Sequence, residues 1–256
     1  MIDSHSHVLP GLDDGAENLS ESVEIARLAV ADGVTAMIAT PHIRDDFNVA
    51  IGELPERVAT LNGALDEADV EVEIHQGGEV AVYRLDDLDD DDLRAVSFGG
   101  ESRYVLVETP YGSVPAGFEE ALFRLALRGF NAVVAHPERS PSFQRRPERL
   151  TELVRRGILL QLTAGALSGA FGRSARDLAE RLIARGEAHL LGSDVHHAYG
   201  SRASLRSARN ALEGSGRAAI AAWMTEEVPA ALLADAAPPP GPEPPPARRR
   251  RAWWRR

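Results

Sequence analysis

Short apolar runs of strand length alternate with amphipathic segments of helical spacing along most of this chain. The runs fall at residues 1–5, 35–40, 70–74, 104–107, 131–135, 158–162 and 188–191. Between them, SESVEIARLAVADG repeats its apolar positions every three to four residues. It predicts a helix capped by Ser20 and stopped by Gly33. FEEALFRLALRG predicts another, stopped by Gly129. Seven β-then-α units point to an α/β parallel barrel. An open doubly wound sheet is the alternative, although no glycine-rich dinucleotide turn follows any run. At Ala236 the pattern ends in APPPGPEPPPA and then RRRRAWWRR. A proline-rich segment cannot build a packed core, so residues 1–235 are expected to be the folded domain and 236–256 a disordered tail. The acidic run LDDLDDDD at 85–92 predicts a solvated loop or a helix start.

In a parallel barrel the chemistry collects where the strands end, so the residue after each apolar run matters most. His5 and His7 close the first run, and their i, i+2 spacing turns both imidazoles to one side of a strand. His42 follows the second run in TPH, Glu79 the third in GGE, and Glu108 ends the fourth. His136 opens HPER after the fifth, and Asp194 and His196 lie in SDVH after the last. The sixth run offers only Gln161 and Thr163. One such residue is more often a cap or a surface group than a ligand. Nine of them, with Asp14, placed toward one rim predict a multinuclear metal site. Carboxylates and imidazoles without sulfur suit two or three Mn²⁺, Fe²⁺ or Zn²⁺ ions. His75 and His189 lie within or beside apolar runs and are expected to be structural, and His197 is expected to face away from His196.

Composition narrows the chemistry. At 256 residues and 44% hydrophobic content, the chain is long enough for one substantial core. No run reaches a membrane span and the start lacks a signal-peptide pattern, so a cytoplasmic protein is expected. There is no cysteine, which excludes a thiolate nucleophile and sulfur ligands. All 28 basic residues are arginine, so lysine-dependent phosphate loops, Schiff bases and carbamylated-lysine metal bridges are excluded as well. The net charge of −11 includes six arginines in the last nine residues, leaving −17 on the rest. An acidic body argues against nucleic acid as a partner, and it would repel a phosphorylated substrate unless bound cations reverse the local field.

MIDSHSHVLPGLDDGA, ATPH, GGEV, YVLVE, AHPER and SDVHH, in that order, resemble the polymerase-and-histidinol-phosphatase (PHP) superfamily. The opening block with DDG is most similar to its bacterial protein-tyrosine phosphatases of capsule and exopolysaccharide synthesis. This resemblance implies a distorted (β/α)7 barrel with a trinuclear site, most often described with manganese. By matching motif it assigns His5, His7, Glu79 and Asp194 to one ion, Glu79, Glu108 and His136 to a second, and Asp14, His42 and His196 to a third. Arg139 in HPER and Arg202 after SDVH match phosphate-contacting arginines. Position 43 is Ile where relatives often carry His or Arg, and the Arg202 match needs about one inserted residue.

The implied activity is hydrolysis of phosphotyrosine by a metal-bridging hydroxide, on a protein that the resemblance suggests is a membrane-associated tyrosine autokinase. Arginine suits phosphoryl oxygens because its planar fork meets two at once and keeps its proton. Without an evident general acid, a phenolate leaving group is easier than an alkoxide. A histidinol-phosphatase-like or other small-molecule phosphoesterase is the nearest alternative. A metal-dependent amidohydrolase shares the HxH start, and a metal-binding regulatory module of a polysaccharide assembly complex is the non-enzymatic reading. The arginine-tryptophan tail suggests peripheral contact with an anionic membrane. The sequence leaves the oligomeric state open.

Overall fold

The structure is a computed structural model that describes residues 1–110, 112–199 and 204–243. Among these residues lie nine strands, all paired in parallel. β1 (Ile2–Ser6), β2 (Ala36–Ala39) and β4 (Glu73–His75) form one sheet in the order β1-β2-β4. The other six form the second sheet: β3 (His42–Ile43), β5 (Glu79–Ala81), β6 (Tyr104–Glu108), β7 (Asn131–Ala135), β8 (Leu159–Thr163) and β9 (Leu190–Gly192). β1 also meets the segment after β9. His7 N donates to Val195 O at 2.9 Å and Asp194 N to His5 O at 2.9 Å.

All seven expected strands are present with ends moved by a few residues. β3 and β5 are additions, two and three residues long, too short for any periodicity to reveal. They arise because the chain changes sheet after β2 and again after β4. Gly77 makes the second change possible. A Cβ there would lie 2.9 Å from Ile38 Cγ2 and 3.2 Å from Ala39 O.

Helices cover these sheets. The longest are α1 (Leu19–Ala31), α2 (Leu54–Glu67) and α8 (Gly172–Ala184), while α4 (Phe118–Leu127) precedes β7 and the short α3 (Asp90–Ala95) precedes β6. α5 (Pro141–Arg145) and α6 (Glu148–Arg155) join β7 to β8, and α7 (Ala164–Ser168) leads into α8. α1 buries Val23, Ile25, Ala26 and Ala29, which are the apolar positions of the predicted stripe. Its cap is Asn18 rather than Ser20. The Asn18 side chain accepts from Glu21 N at 3.1 Å, three residues on, where an N-cap acceptor must reach. The acidic run is a helix start, because Asp89 caps α3 by accepting from Asp92 N at 2.8 Å. Leu85 and Leu88 within it are nevertheless buried.

β6, β7 and β8 are covered on both faces, which is why they read as continuous Val/Leu runs. α9 (Leu205–Gly214), α10 (Ala218–Ala222) and α11 (Val228–Leu233) close the fold. A π-helical turn at Trp223–Glu227 joins the last two. Trp223 Nε1 donates to Pro239 O at 3.0 Å, so the start of the proline-rich segment lies against the domain. Residues 244–256, including the arginine-tryptophan run, lie outside the described residues. No helix among those described is long and apolar enough to cross a membrane.

Candidate metal centre

The centre is built where β1, β6, β7 and β9 end and where the short β3 and β5 begin. β1 turns His5 and His7 to the same side, as the i, i+2 spacing requires, with their Nε2 atoms 3.2 Å apart. The far side of each ring is anchored. His5 Nδ1 donates to Gln161 Oε1 at 2.7 Å, and Gln161 Nε2 donates in turn to Ser4 O at 3.0 Å. His7 Nδ1 donates to Asp13 Oδ2 at 2.7 Å. With Nδ1 donating outward, each Nε2 is the nitrogen left facing the middle of the site, where a cation can take the place of its proton.

Glu79, at the start of β5, is fully buried at the centre. His136 Nε2 lies 2.8 Å from its Oε1. Its Oε2 is ringed by His42 Nδ1 at 3.0 Å, His5 Nε2 at 3.5 Å and His7 Nε2 at 3.7 Å. Asp194 Oδ1 faces the same two nitrogens, 3.3 Å from His5 and 3.5 Å from His7. Asp14 is more exposed, with Oδ1 3.5 Å from His42 Nε2 and 3.4 Å from His196 Nε2. The rings of His7 and His196 stack with centroids 3.9 Å apart.

All nine residues expected as ligands therefore come together. Their donor atoms form four overlapping groups: His7, Asp14, His42 and His196; His5, Glu79 and His136; His5, His7 and Asp194; and His42, Glu79 and Glu108. The grouping differs from the resemblance-based sets in several details, one being that His5 rather than Glu108 accompanies Glu79 and His136. His7 joins the group of Asp14, and Glu108 sits with His42 rather than with His136. Glu108 is turned toward Arg44, whose NH1 donates to its Oε1 at 3.0 Å.

The backbone is bent to bring these groups inward. Among described non-glycine residues only Asp69, His136, Asp194 and Asp235 have positive φ, and His136 (35°) and Asp194 (55°) belong to the cluster. Two glycines give the histidines room. A Cβ on Gly192 would lie 2.7 Å from His5 Cβ, and one on Gly15 would lie 2.6 Å from His7 Cβ.

Electrostatics support a cation at this place. Burial opposes charge on His7, but Asp13 and Asp194 outweigh it and lift its pKa to about 10. Burial likewise opposes the Asp13 charge, yet His7 and the N–H groups of His42 and Gly15 hold that carboxyl at about 2. Glu79 stays well below the usual range despite its burial, because His5 and His136 face it. Burial, followed by repulsion from Glu79, raises Glu108. His196 falls to about 4, through burial and then the charge on His7. The buried carboxylates of Glu79 and Asp194 are held ionised and draw positive charge onto His5 and His7, so divalent cations would compete with protons for those nitrogens. Glu79 Oε2 and His42 Nδ1 are buried without a hydrogen-bond partner of good geometry among the described residues. Such atoms fit metal coordination better than a hydrogen-bonded core.

Arg139, in the turn Pro137–Arg139, pairs with Asp194 Oδ2 and lies over the Phe171 ring at 4.1 Å. Arg202 lies outside the described residues. His189 is structural as expected, its Nδ1 accepting from Leu160 N at 3.1 Å. His75 pairs at 3.7 Å with Glu73, and His197 contacts Glu21 at 3.2 Å. Sequence reasoning missed Asp13, Gln161 and Arg44 as participants. Asp13 was visible in DDG but not separable from Asp14, and Gln161 was visible as the residue that broke the strand-end pattern.

The family described as capsular polysaccharide synthesis, CpsB/CapC, matches residues 1–233. The tyrosine-protein phosphatase YwqE of Bacillus subtilis is 34% identical over 198 residues, covering 77% of this chain and 78% of that protein. The tyrosine-protein phosphatase CpsB of Streptococcus pneumoniae is 27% identical over 207 residues, covering 77% and 83%. A crystal structure from the work on YwqE and CpsB, described as unique metal-dependent tyrosine phosphatases, superposes with TM-score 0.85 at 30% identity, covering 97% of this chain and 100% of that one. Histidinol phosphate phosphatase of Lactococcus lactis, at TM-score 0.51 and 16% identity, covers 84% of this chain and 95% of its own and shares the fold alone.

Proposed function

The chain belongs to the CpsB/CapC family of capsular polysaccharide synthesis, and on that premise we propose that it is a metal-dependent protein-tyrosine phosphatase. One observation carries the reading: nine His, Asp and Glu side chains from distant parts of the chain come together in overlapping groups, with the buried carboxylate of Glu79 among them. Two buried atoms in that cluster, Glu79 Oε2 and His42 Nδ1, have no hydrogen-bond partner of good geometry among the described residues, an arrangement that a purely structural core would avoid.

Two or three divalent ions, manganese first and iron or zinc as substitutes, would be held by His5, His7, Asp14, His42, Glu79, Glu108, His136, Asp194 and His196, with Glu79 reaching two of them. When bound, such ions supply Lewis acidity and lower the pKa of a coordinated water to near 7. Asp13 and Gln161 fix the tautomers of His7 and His5, keeping both Nε2 lone pairs inward. Arg139 presents a planar fork at the rim, able to take two phosphoryl oxygens and to neutralise charge that builds on them. Arg202 would supply a second such contact. A phenolate, with a pKa of about 10, departs with less proton donation than an alkoxide, which favours aryl esters.

Several finer assignments follow from the same reading. The two parallel sheets, linked through β1 and the segment after β9, are arcs of one distorted (β/α)7 barrel. Residues 1–235 are the catalytic domain. The substrate is a phosphotyrosine protein of capsule or exopolysaccharide synthesis, a membrane-associated tyrosine autokinase, met at the cytoplasmic face. The basic 248–256 segment would keep the enzyme near that membrane.

Turnover of phosphotyrosine peptide, phosphoserine peptide and histidinol phosphate, with Mn²⁺ added and His136→Ala as control, tests the proposal. Phosphotyrosine is expected to be preferred and the variant inactive. Preference for histidinol phosphate would transfer the chemistry to a small-molecule substrate, and no turnover of any ester would overturn the phosphatase reading.

A further inference from the structure

Beside the metal centre lies a second feature that the phosphoryl chemistry does not use. A cavity of about 340 Å³ opens where β3, β5 and β6 end, lined by Arg44, Asp46, Val82, Tyr83, Glu108 and Pro110. Glu108 belongs to both features, since it also forms a group with His42 and Glu79. The cavity therefore begins at the edge of the cluster and runs outward from it.

Its mouth is organised by side chains from two of those strand ends. Arg44 donates to Glu108 Oε1 at 3.0 Å and to Asp46 Oδ1 at 2.9 Å, so its fork is held across the opening. The Arg44 guanidinium lies 5.4 Å from the Phe47 ring centre, and Phe47 in turn stacks on His42 at 5.5 Å with an interplanar angle of 8°. Opposite, Tyr83 is 56% exposed, and its hydroxyl oxygen accepts from Asp45 N at 3.4 Å. Arg84 also fixes Asp45, donating to its Oδ1 at 2.7 Å. An exposed aromatic ring on a cavity wall is open to a ligand rather than part of the core.

We infer that this cavity is the leaving-group subsite, and that Tyr83 with Arg44 selects aryl phosphates by receiving the phenol ring of phosphotyrosine. The inference rests on the phosphatase reading above. Once a phosphoryl group sits at the cluster, its ester substituent must leave through an adjoining cleft, and this one shares Glu108 with the cluster. The walls match a ring: Val82 and Pro110 offer apolar surface, Tyr83 an aromatic face and Arg44 a planar cation. Reach also discriminates, since a tyrosine ester keeps its peptide backbone a ring's length further from the phosphoryl group than a serine ester does, and a serine ester would have to draw polar backbone toward the cavity.

The test is binding of phenylphosphonate and methylphosphonate, neither of which can be hydrolysed, to the Mn²⁺-loaded full chain by calorimetry. It is run on the wild type, Tyr83→Ala and Tyr83→Phe, alongside KM and kcat for the phosphotyrosine peptide. Tyr83→Ala is expected to erase most of the preference for the phenyl compound, about tenfold in Kd, and to act on KM more than on kcat. Tyr83→Phe should restore the preference, because it keeps the ring. An unchanged phenyl-to-methyl ratio in Tyr83→Ala would overturn the subsite even if turnover persists. If the wild type hydrolyses no ester, the phosphatase reading fails, and equal binding of the two phosphonates would show separately that the cavity selects no ring.

Discussion

His7 Nδ1 lies 2.7 Å from Asp13 Oδ2, so the first aspartate of DDG anchors a histidine while the second, Asp14, faces the cluster. The same Asp13 oxygen accepts from His42 N at 2.9 Å, and its other oxygen accepts from Gly15 N at 2.9 Å. One carboxylate therefore orients two of the expected ligands. Replacing Asp13 with Asn keeps the size but removes the charge and makes the His7 tautomer ambiguous. Loss of a partner of this kind typically weakens metal affinity by about 10- to 100-fold. Competition with a chelating dye should show that loss in Asp13→Asn with little change in thermal midpoint. Equal metal affinity in variant and wild type would show that the contact is incidental.

Close backbone approach at Gly192 gives a second expectation. An added Cβ would sit 2.7 Å from His5 Cβ and 3.2 Å from His5 N, and His5 is fully buried within β1. The strand cannot move without also shifting His5 relative to Glu79. Gly192→Ala should cost about 1–3 kcal/mol, the usual range for overpacking, and reduce bound metal per chain. Gly214→Ala is the control, since a Cβ there meets nothing within 4 Å. Urea denaturation with parallel metal analysis separates the two, and equal midpoints for both variants would contradict the packing argument.

The parts of this molecule that could be read from sequence are those governed by periodicity. β6 and β7 were evident because burial on both faces makes them continuous Val/Leu runs. β3 and β5 were not, because two or three residues carry no period, so His42 and Glu79 looked like loop residues past a strand end rather than members of a second sheet. The direction of each side chain survived this error, since the convergence of ligand types at strand ends does not depend on which sheet a strand joins. Choices between neighbours in a turn were less legible. Asn18 against Ser20 as the cap, and Asp13 against Asp14 as the anchor, are decided by tertiary geometry between residues of the same chemical kind. Arg44 was hidden for another reason. Its partners, Glu108 and Phe47, lie on different sides of it in the chain, and only the fold brings them together.

His189 should make stability fall in mild acid. Burial lowers its pKa from 6.5 to about 4, so the folded protein holds it neutral while the unfolded chain takes a proton at higher pH. The unfolded state binds the extra proton between those two values. The His189 contribution is therefore complete above pH 6.5 and is lost as pH falls toward 4, amounting to about 2 kcal/mol by pH 5. His189→Asn can still accept from Leu160 N but does not titrate. Urea midpoints measured from pH 7 to pH 4.5 should fall less steeply in the variant, and parallel slopes would remove His189 as the cause.

Arg139 admits two roles that make opposite predictions. It pairs with Asp194 Oδ2 and stacks on Phe171, so it could serve only to hold an expected metal ligand in place. In that case its loss should appear as weaker metal binding, with catalysis recovering at high Mn²⁺. If it instead takes phosphoryl oxygens, Arg139→Lys keeps the charge beside Asp194 but loses the planar fork, because a single ammonium cannot match two oxygens at once. Removing one such preorganised donor usually costs about 10²- to 10³-fold in kcat. We expect Arg139→Lys to lose activity on that scale toward the phosphotyrosine peptide at saturating Mn²⁺, with its metal content unchanged. Recovery of wild-type kcat on raising Mn²⁺ would reassign Arg139 to positioning Asp194.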